Sequence, residues 1–110
     1  MTSVVFKKVN DKIYGFSITG HSGYDEKDYD IVCSAISVIS QTIVIGITDV
    51  LKINAKYKIK DGFLQLDLKN HSDEEIDKCQ VLLETMLAGL KSTEICYSQF
   101  LKVDIEEVQV

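Results

Sequence analysis

At 110 residues, 45% apolar and 26% charged, the chain is long enough for one self-sufficient core and too apolar to be mostly disordered. Its net charge is −5, and all twelve cationic residues are lysine. Without arginine's planar fork, direct nucleic-acid recognition is disfavoured, and a basic protein is the easier partner for an acidic surface. Three cysteines, Cys33, Cys79 and Cys96, show no CxxC spacing. Reduced thiols in that pattern fit a cytoplasmic protein better than a disulfide framework. The opening MTSVVFKKVNDK puts charge too early for a signal peptide.

Residues 2–9 (TSVVFKKV) predict a strand ending at the turn signal Asn10-Asp11, and residues 12–19 (KIYGFSIT) predict its hairpin partner. The two-residue period places Tyr14, Phe16 and Ile18 on one face of that partner. Gly20 ends it.

From Ile31 to about Lys52 the apolar set Val32, Ile36, Ile39, Ile43, Ile47 and Val50 recurs at steps of three and four, predicting a helix. Asp30 reads as its N-cap, with Asp28 adding charge near the helix start. Ile31, Val44, Ile45 and Leu51 widen the apolar surface beyond one stripe. A helix buried on several sides in so small a chain implies a subunit interface, hence a homodimer through the 31–52 helix. The hydroxyls of Ser34, Ser37, Ser40 and Thr42 argue for a buried helix rather than a membrane span.

Residues 54–60 and 63–69 flank Asp61-Gly62, a tight-hairpin signal. Ser72 and Glu75 form a capping box, followed on one face by Ile76, Cys79, Leu83, Met86, Leu87 and Leu90. FLKVDIEEV alternates, which predicts a last strand from about Leu101. The order ββαββαβ implies an α+β two-layer sandwich in one domain, with two helices on one face of a largely antiparallel sheet.

Chemistry concentrates in GHSGYDEKDYDIVCSAIS, residues 20–37. With Asp30 as cap, Cys33 falls in the first helical turn, where unpaired N–H groups and the macrodipole favour a thiolate. Those N–H groups would also suit an oxyanion. His21, just past a strand end, approaches Cys33 if the loop folds back, forming a Cys-His dyad. Four carboxylates in the loop disfavour the thiolate but would hold a histidinium. Asp30 reads equally as a cap or as the group that orients His21. The plainer readings are a packing cysteine and a surface histidine. Metal-ligand spacing is absent. Cys79 and Cys96 read as packing residues, and His71 as a solvated loop residue.

The sequence resembles the bacterial ribosomal-processing cysteine protease family (Prp) along its whole length. The resemblance rests on Gly20-His21-Ser22-Gly23, Asp30-Ile31-Val32-Cys33-Ser34-Ala35, and Ser37 one turn after the cysteine. It implies a homodimeric cytoplasmic endopeptidase that needs no cofactor and removes an N-terminal extension from large-subunit ribosomal protein twenty-seven. Cys33 would be nucleophile and His21 general base, with Gly20, Asp30 and Ser37 in supporting positions. The loop Ser22, Gly23, Tyr24, Asp25, Glu26, Lys27, Asp28 and Tyr29 would then be a substrate lid. Two other readings stay open at this level: a non-catalytic ribosome-associated module that binds a basic tail, and a redox sensor in which Cys79 or Cys96 resolves Cys33.

Overall fold

Asn10 and Asp11 both take positive φ, 52° and 65°, which is the type I′ geometry whose twist suits antiparallel strands. They join β1 (Thr2–Val9) to β2 (Lys12–Thr19). A computed structural model describes residues 1–20 and 27–108 of the chain, without the side chains of Lys27 and Asp28. Val4 pairs with Ile18 and Phe6 with Phe16, but past Lys7 the register shifts and Lys8 faces Ile13. Tyr14 is the extra residue of that bulge, which re-aims its neighbours. Ile13 therefore turns inward, fully buried, while Tyr14 stays half-buried. This corrects the Tyr14-Phe16-Ile18 face expected from strict alternation.

A second hairpin joins β3 (Lys56–Lys60) to β4 (Phe63–Asp67) through Asp61 and Gly62, the glycine at φ 72°. Both strands are two residues shorter than the sequence suggests. The sheet order is β3-β4-β2-β1-β5, with β5 (Leu101–Glu107) parallel to β1 and the other neighbours antiparallel. The parallel pairing follows from the crossover through α2 (Asp73–Cys96). The hydroxyl of Ser72 accepts from the Glu75 N–H at the start of α2, and all six residues expected on its apolar face are buried.

The first helix departs from the expected boundaries. It runs as α1 from Lys27 to Ile45, continues through a π-helical turn at Gly46–Val50, and stops at Lys52 in the left-handed region, φ 59°. The buried stripe is Tyr29, Val32, Ile36, Ser40, Val44 and Ile47. The helix already runs through Lys27 to Tyr29, so Asp30 lies inside it rather than capping it. Ile39 and Val50, expected to face inward, are exposed. A segment apolar on every side leaves tertiary packing, not periodicity, to choose the buried face.

Tyr29–Val50 is long and apolar enough to cross a membrane. Yet Val32, Ile36, Val44 and Ile47 share one buried cluster with Val4, Phe6, Phe16, Leu66 and the apolar face of α2, as a core helix does. The outcome is the α+β sandwich of order ββαββαβ.

Candidate active site

The two hairpins meet behind Gly20. Its N–H donates to the Gly62 carbonyl at 3.0 Å. A Cβ on Gly20 would stand 2.9 Å from the Thr2 hydroxyl oxygen, so the glycine leaves room for that side chain. In front of this junction the start of α1 roofs a cavity of about 340 Å³. Gly20, Asp30, Cys33 and Ser37 all line it, together with Thr2 and Asp61. Four residues singled out in the sequence thus converge on one cavity.

Cys33 is half-buried at the cavity wall. It is the seventh residue of α1 rather than the third. There its N–H has an i−4 carbonyl available within the helix, and the macrodipole, which acts on the first turn, has faded. The expectation that the helix start itself stabilises the thiolate and offers oxyanion donors at Cys33 is therefore corrected. A side chain takes up the contact. The hydroxyl of Thr2 lies 3.2 Å from Cys33 Sγ and 3.4 Å from the Tyr29 hydroxyl. Tyr29 packs edge-on against Phe100, ring centroids 6.0 Å apart.

Sequence reasoning missed Thr2. The signal was present, because alternation with Val4 and Phe6 puts its hydroxyl on the inward face of β1, where a polar group needs a partner.

Asp30 is exposed at the cavity rim. Ser37 accepts from the Gln41 side-chain amide at 2.9 Å. Ser40 is buried and donates to the Ile36 carbonyl at 2.7 Å. Among the described residues, Asp30 and Asp61 are the charged groups lining the cavity. His21, Ser22, Gly23, Tyr24, Asp25 and Glu26 lie outside the described residues. Lys27, Asp28 and Tyr29, expected in the same loop, belong to α1, and the buried Tyr29 ring is part of the packing rather than of a lid.

The remaining candidates sit elsewhere. Cys79 is fully buried under α2, and burial, followed by the nearby Glu75 carboxylate, pushes its thiol up. Cys96 is exposed at the end of α2. His71, read as solvated, is instead half-buried with Nδ1 3.2 Å from Glu75 Oε1. Among the described residues no three His, Cys, Asp or Glu side chains gather as metal ligands.

The family model for the cysteine protease Prp matches residues 1–102. The ribosomal processing cysteine protease Prp of Bacillus subtilis is 25% identical, over 94% of this chain and 96% of its own length. That of Staphylococcus aureus is 28% identical over 87% and 92%. Among solved structures, SMU.848 from Streptococcus mutans superimposes with a TM-score of 0.88, at 24% identity, covering 98% of this chain and 96% of its own. The S. aureus protease Prp in complex with a substrate peptide gives 0.77 at 24% identity, covering 96% and 100%. The same protease with a covalently linked product peptide gives 0.76. At these identities the structural likeness speaks to the fold.

Proposed function

The chain belongs to the Prp family of cysteine proteases, and from that premise we propose a cytoplasmic, homodimeric endopeptidase that removes the N-terminal extension of large-subunit ribosomal protein twenty-seven. The observation that carries this reading is a half-buried thiol opening onto a cavity that Gly20, Asp30 and Ser37 also line. His21 follows Gly20 directly in the chain, and Gly20 lines the same cavity as the thiol.

In the proposed reaction His21 takes the Cys33 proton and the thiolate attacks the scissile carbonyl carbon. The C–N bond breaks as the histidinium protonates the leaving amine, leaving a thioester on Cys33. Water, deprotonated by His21, adds to the thioester carbonyl and releases the acid and the thiol. Asp30 and Asp61 give the mouth a potential that draws in a basic ribosomal tail. The S. aureus relative was captured with a substrate peptide and with a covalently linked product peptide, which supports a peptide as the ligand. Ile31, Val38 and Ile45 recur every seven residues along the outer side of α1, each more than half exposed, and support pairing of two copies through that helix.

The test is processing of the extended ribosomal protein by the wild type, Cys33→Ala and His21→Ala. The dyad predicts cleavage by the wild type and none by either variant. Unchanged processing by either variant ends it.

A further inference from the structure

If Cys33 works as a thiolate with the proposed His21 as its proton acceptor, the sulfur also needs a group that holds it in place. The helix start is not that group, because α1 begins at Lys27 and its free N–H groups lie a turn earlier. Among the described residues, the charged groups lining the cavity are Asp30 from α1 itself and Asp61 from the β3–β4 turn. From β1, β2 and β4 the cavity receives Thr2, Ile18, Gly20, Phe63 and Leu64, none of them ionisable.

Thr2 is the polar group that faces the sulfur from the sheet. Its side chain is 3% exposed, and its backbone is fixed by donation to the Phe100 carbonyl at 2.8 Å. The missing Cβ at Gly20 leaves the space that its hydroxyl occupies. A threonine hydroxyl has one proton to give and lone pairs to receive with. With Tyr29 on one side and Cys33 on the other, both jobs have a partner.

We propose that Thr2 is a positioning residue for the Cys33 thiolate, its hydroxyl donating to Sγ while the Tyr29 hydroxyl donates to the Thr2 oxygen. The proposal rests on the assignment of Cys33 as nucleophile and adds a group to it. Hydrogen bonds in a chain polarise one another, and one to a charged acceptor is stronger than one between neutral groups. The same bond fixes the sulfur on the cavity side of the helix. Gly20 then has a physical role in the site, because any side chain there would displace the hydroxyl.

The experiment is alkylation of Cys33 by iodoacetamide as a function of pH, read by peptide mass spectrometry so that Cys79 and Cys96 are followed separately. Thr2→Val keeps the β-branched shape and removes the donor. It is expected to move the Cys33 profile upward by about one pH unit, a roughly tenfold loss of reactivity on the acid side. Thr2→Ser keeps the donor and is expected to restore the wild-type profile. Tyr29→Phe is expected to shift it in the same direction by less. A Thr2→Val profile that superimposes on the wild type overturns the proposal, as does a Thr2→Ser profile shifted as far as Thr2→Val. Should Thr2→Val not fold, an unchanged Tyr29→Phe profile overturns the chain in the same way. Alkylation needs no peptide substrate, so failure here is distinct from failure of the protease reading, which cleavage by Cys33→Ala decides.

Discussion

A Cβ on Gly62 would stand 2.6 Å from the carbonyl oxygen of Gly20, the residue before His21. Gly62 also has φ 72°, a conformation that costs a side-chain-bearing residue about 1–2 kcal/mol before any clash. The β3–β4 turn is therefore built against the end of β2, and its backbone has no slack. Gly62→Ala is expected to lower unfolding stability by about 2 kcal/mol or more in urea titration. Because relief of the clash moves Gly20, the rate of processing is expected to fall further than the loss of folded protein explains. A stability within about 0.5 kcal/mol of wild type would show that the turn relaxes freely.

The bulge at Tyr14 makes a second position costly. Ile13 beside it pairs with Lys8 of β1 but lies beyond the β2–β4 pairing, which starts at Gly15, and Gln80 of α2 meets its backbone on that side. The Ile13 N–H donates to Gln80 Oε1 and Gln80 Nε2 donates to the Ile13 carbonyl, both at 2.8 Å. Gln80→Leu would strand both groups beside a fully buried residue. Each buried unsatisfied group costs about 1–3 kcal/mol, so a loss of about 2–4 kcal/mol is expected in the same titration. The effect should be on stability alone, with the specific activity of the folded fraction unchanged.

The acid side of the stability profile should carry the mark of Glu75. Its carboxyl is held below the usual carboxylate range, first by the hydrogen bond to the His71 ring, with the charge of His71 and the Ser72 contacts behind it and desolvation opposing. A carboxyl depressed in the folded state stabilises above its unfolded value, and that contribution is lost as pH falls through the folded value. Glu75→Gln keeps the capping-box shape and removes the charge. The melting temperatures of wild type and Glu75→Gln are expected to differ near neutral pH and to converge as pH falls below about 4. A gap that stays constant across that range would mean the Glu75 carboxylate is not the cause.

What the sequence disclosed follows from where each residue's environment is set. The face of α2 was legible because Ser72 and Glu75 fix its start and its opposite side is polar, so Ile76, Cys79, Leu83, Met86, Leu87 and Leu90 have one place to go. The face of α1 was not, because Ile39, Ile43 and Val44 are equally apolar and only the shape of the core separates them. Its start was misjudged for a related reason. Asp30 has the chemistry of a cap, but α1 already runs from Lys27, and Tyr29 within it packs against Phe100. Gly20, Asp30, Cys33 and Ser37 were singled out together by the family resemblance. Thr2 and Asp61 join them only through strand order, which brings both ends of the chain's first half to one cavity. The Tyr14 bulge, a one-residue insertion, has no signature in alternation except its breakdown.

The outer side of α1 supplies the last prediction. Val38 is 66% exposed, with Ile31 and Ile45 seven residues away on either side and 56% and 53% exposed. An exposed apolar row of that kind is stabilised when a second copy covers it. Val38→Lys places a charge at its centre, where two copies related by a two-fold axis would bring the charges together. The wild type is expected to sediment as a dimer with a melting temperature that rises with concentration, and Val38→Lys as a monomer with no such dependence. Ile95→Lys, at a position 82% exposed near the end of α2, makes the same charge change away from that row and should leave association intact. Since Val38 touches no core residue's side of the helix, the folded monomer should lose no more than about 0.5 kcal/mol. Retained dimerisation in Val38→Lys would place the interface elsewhere. Loss in both variants would point to net charge rather than to this face.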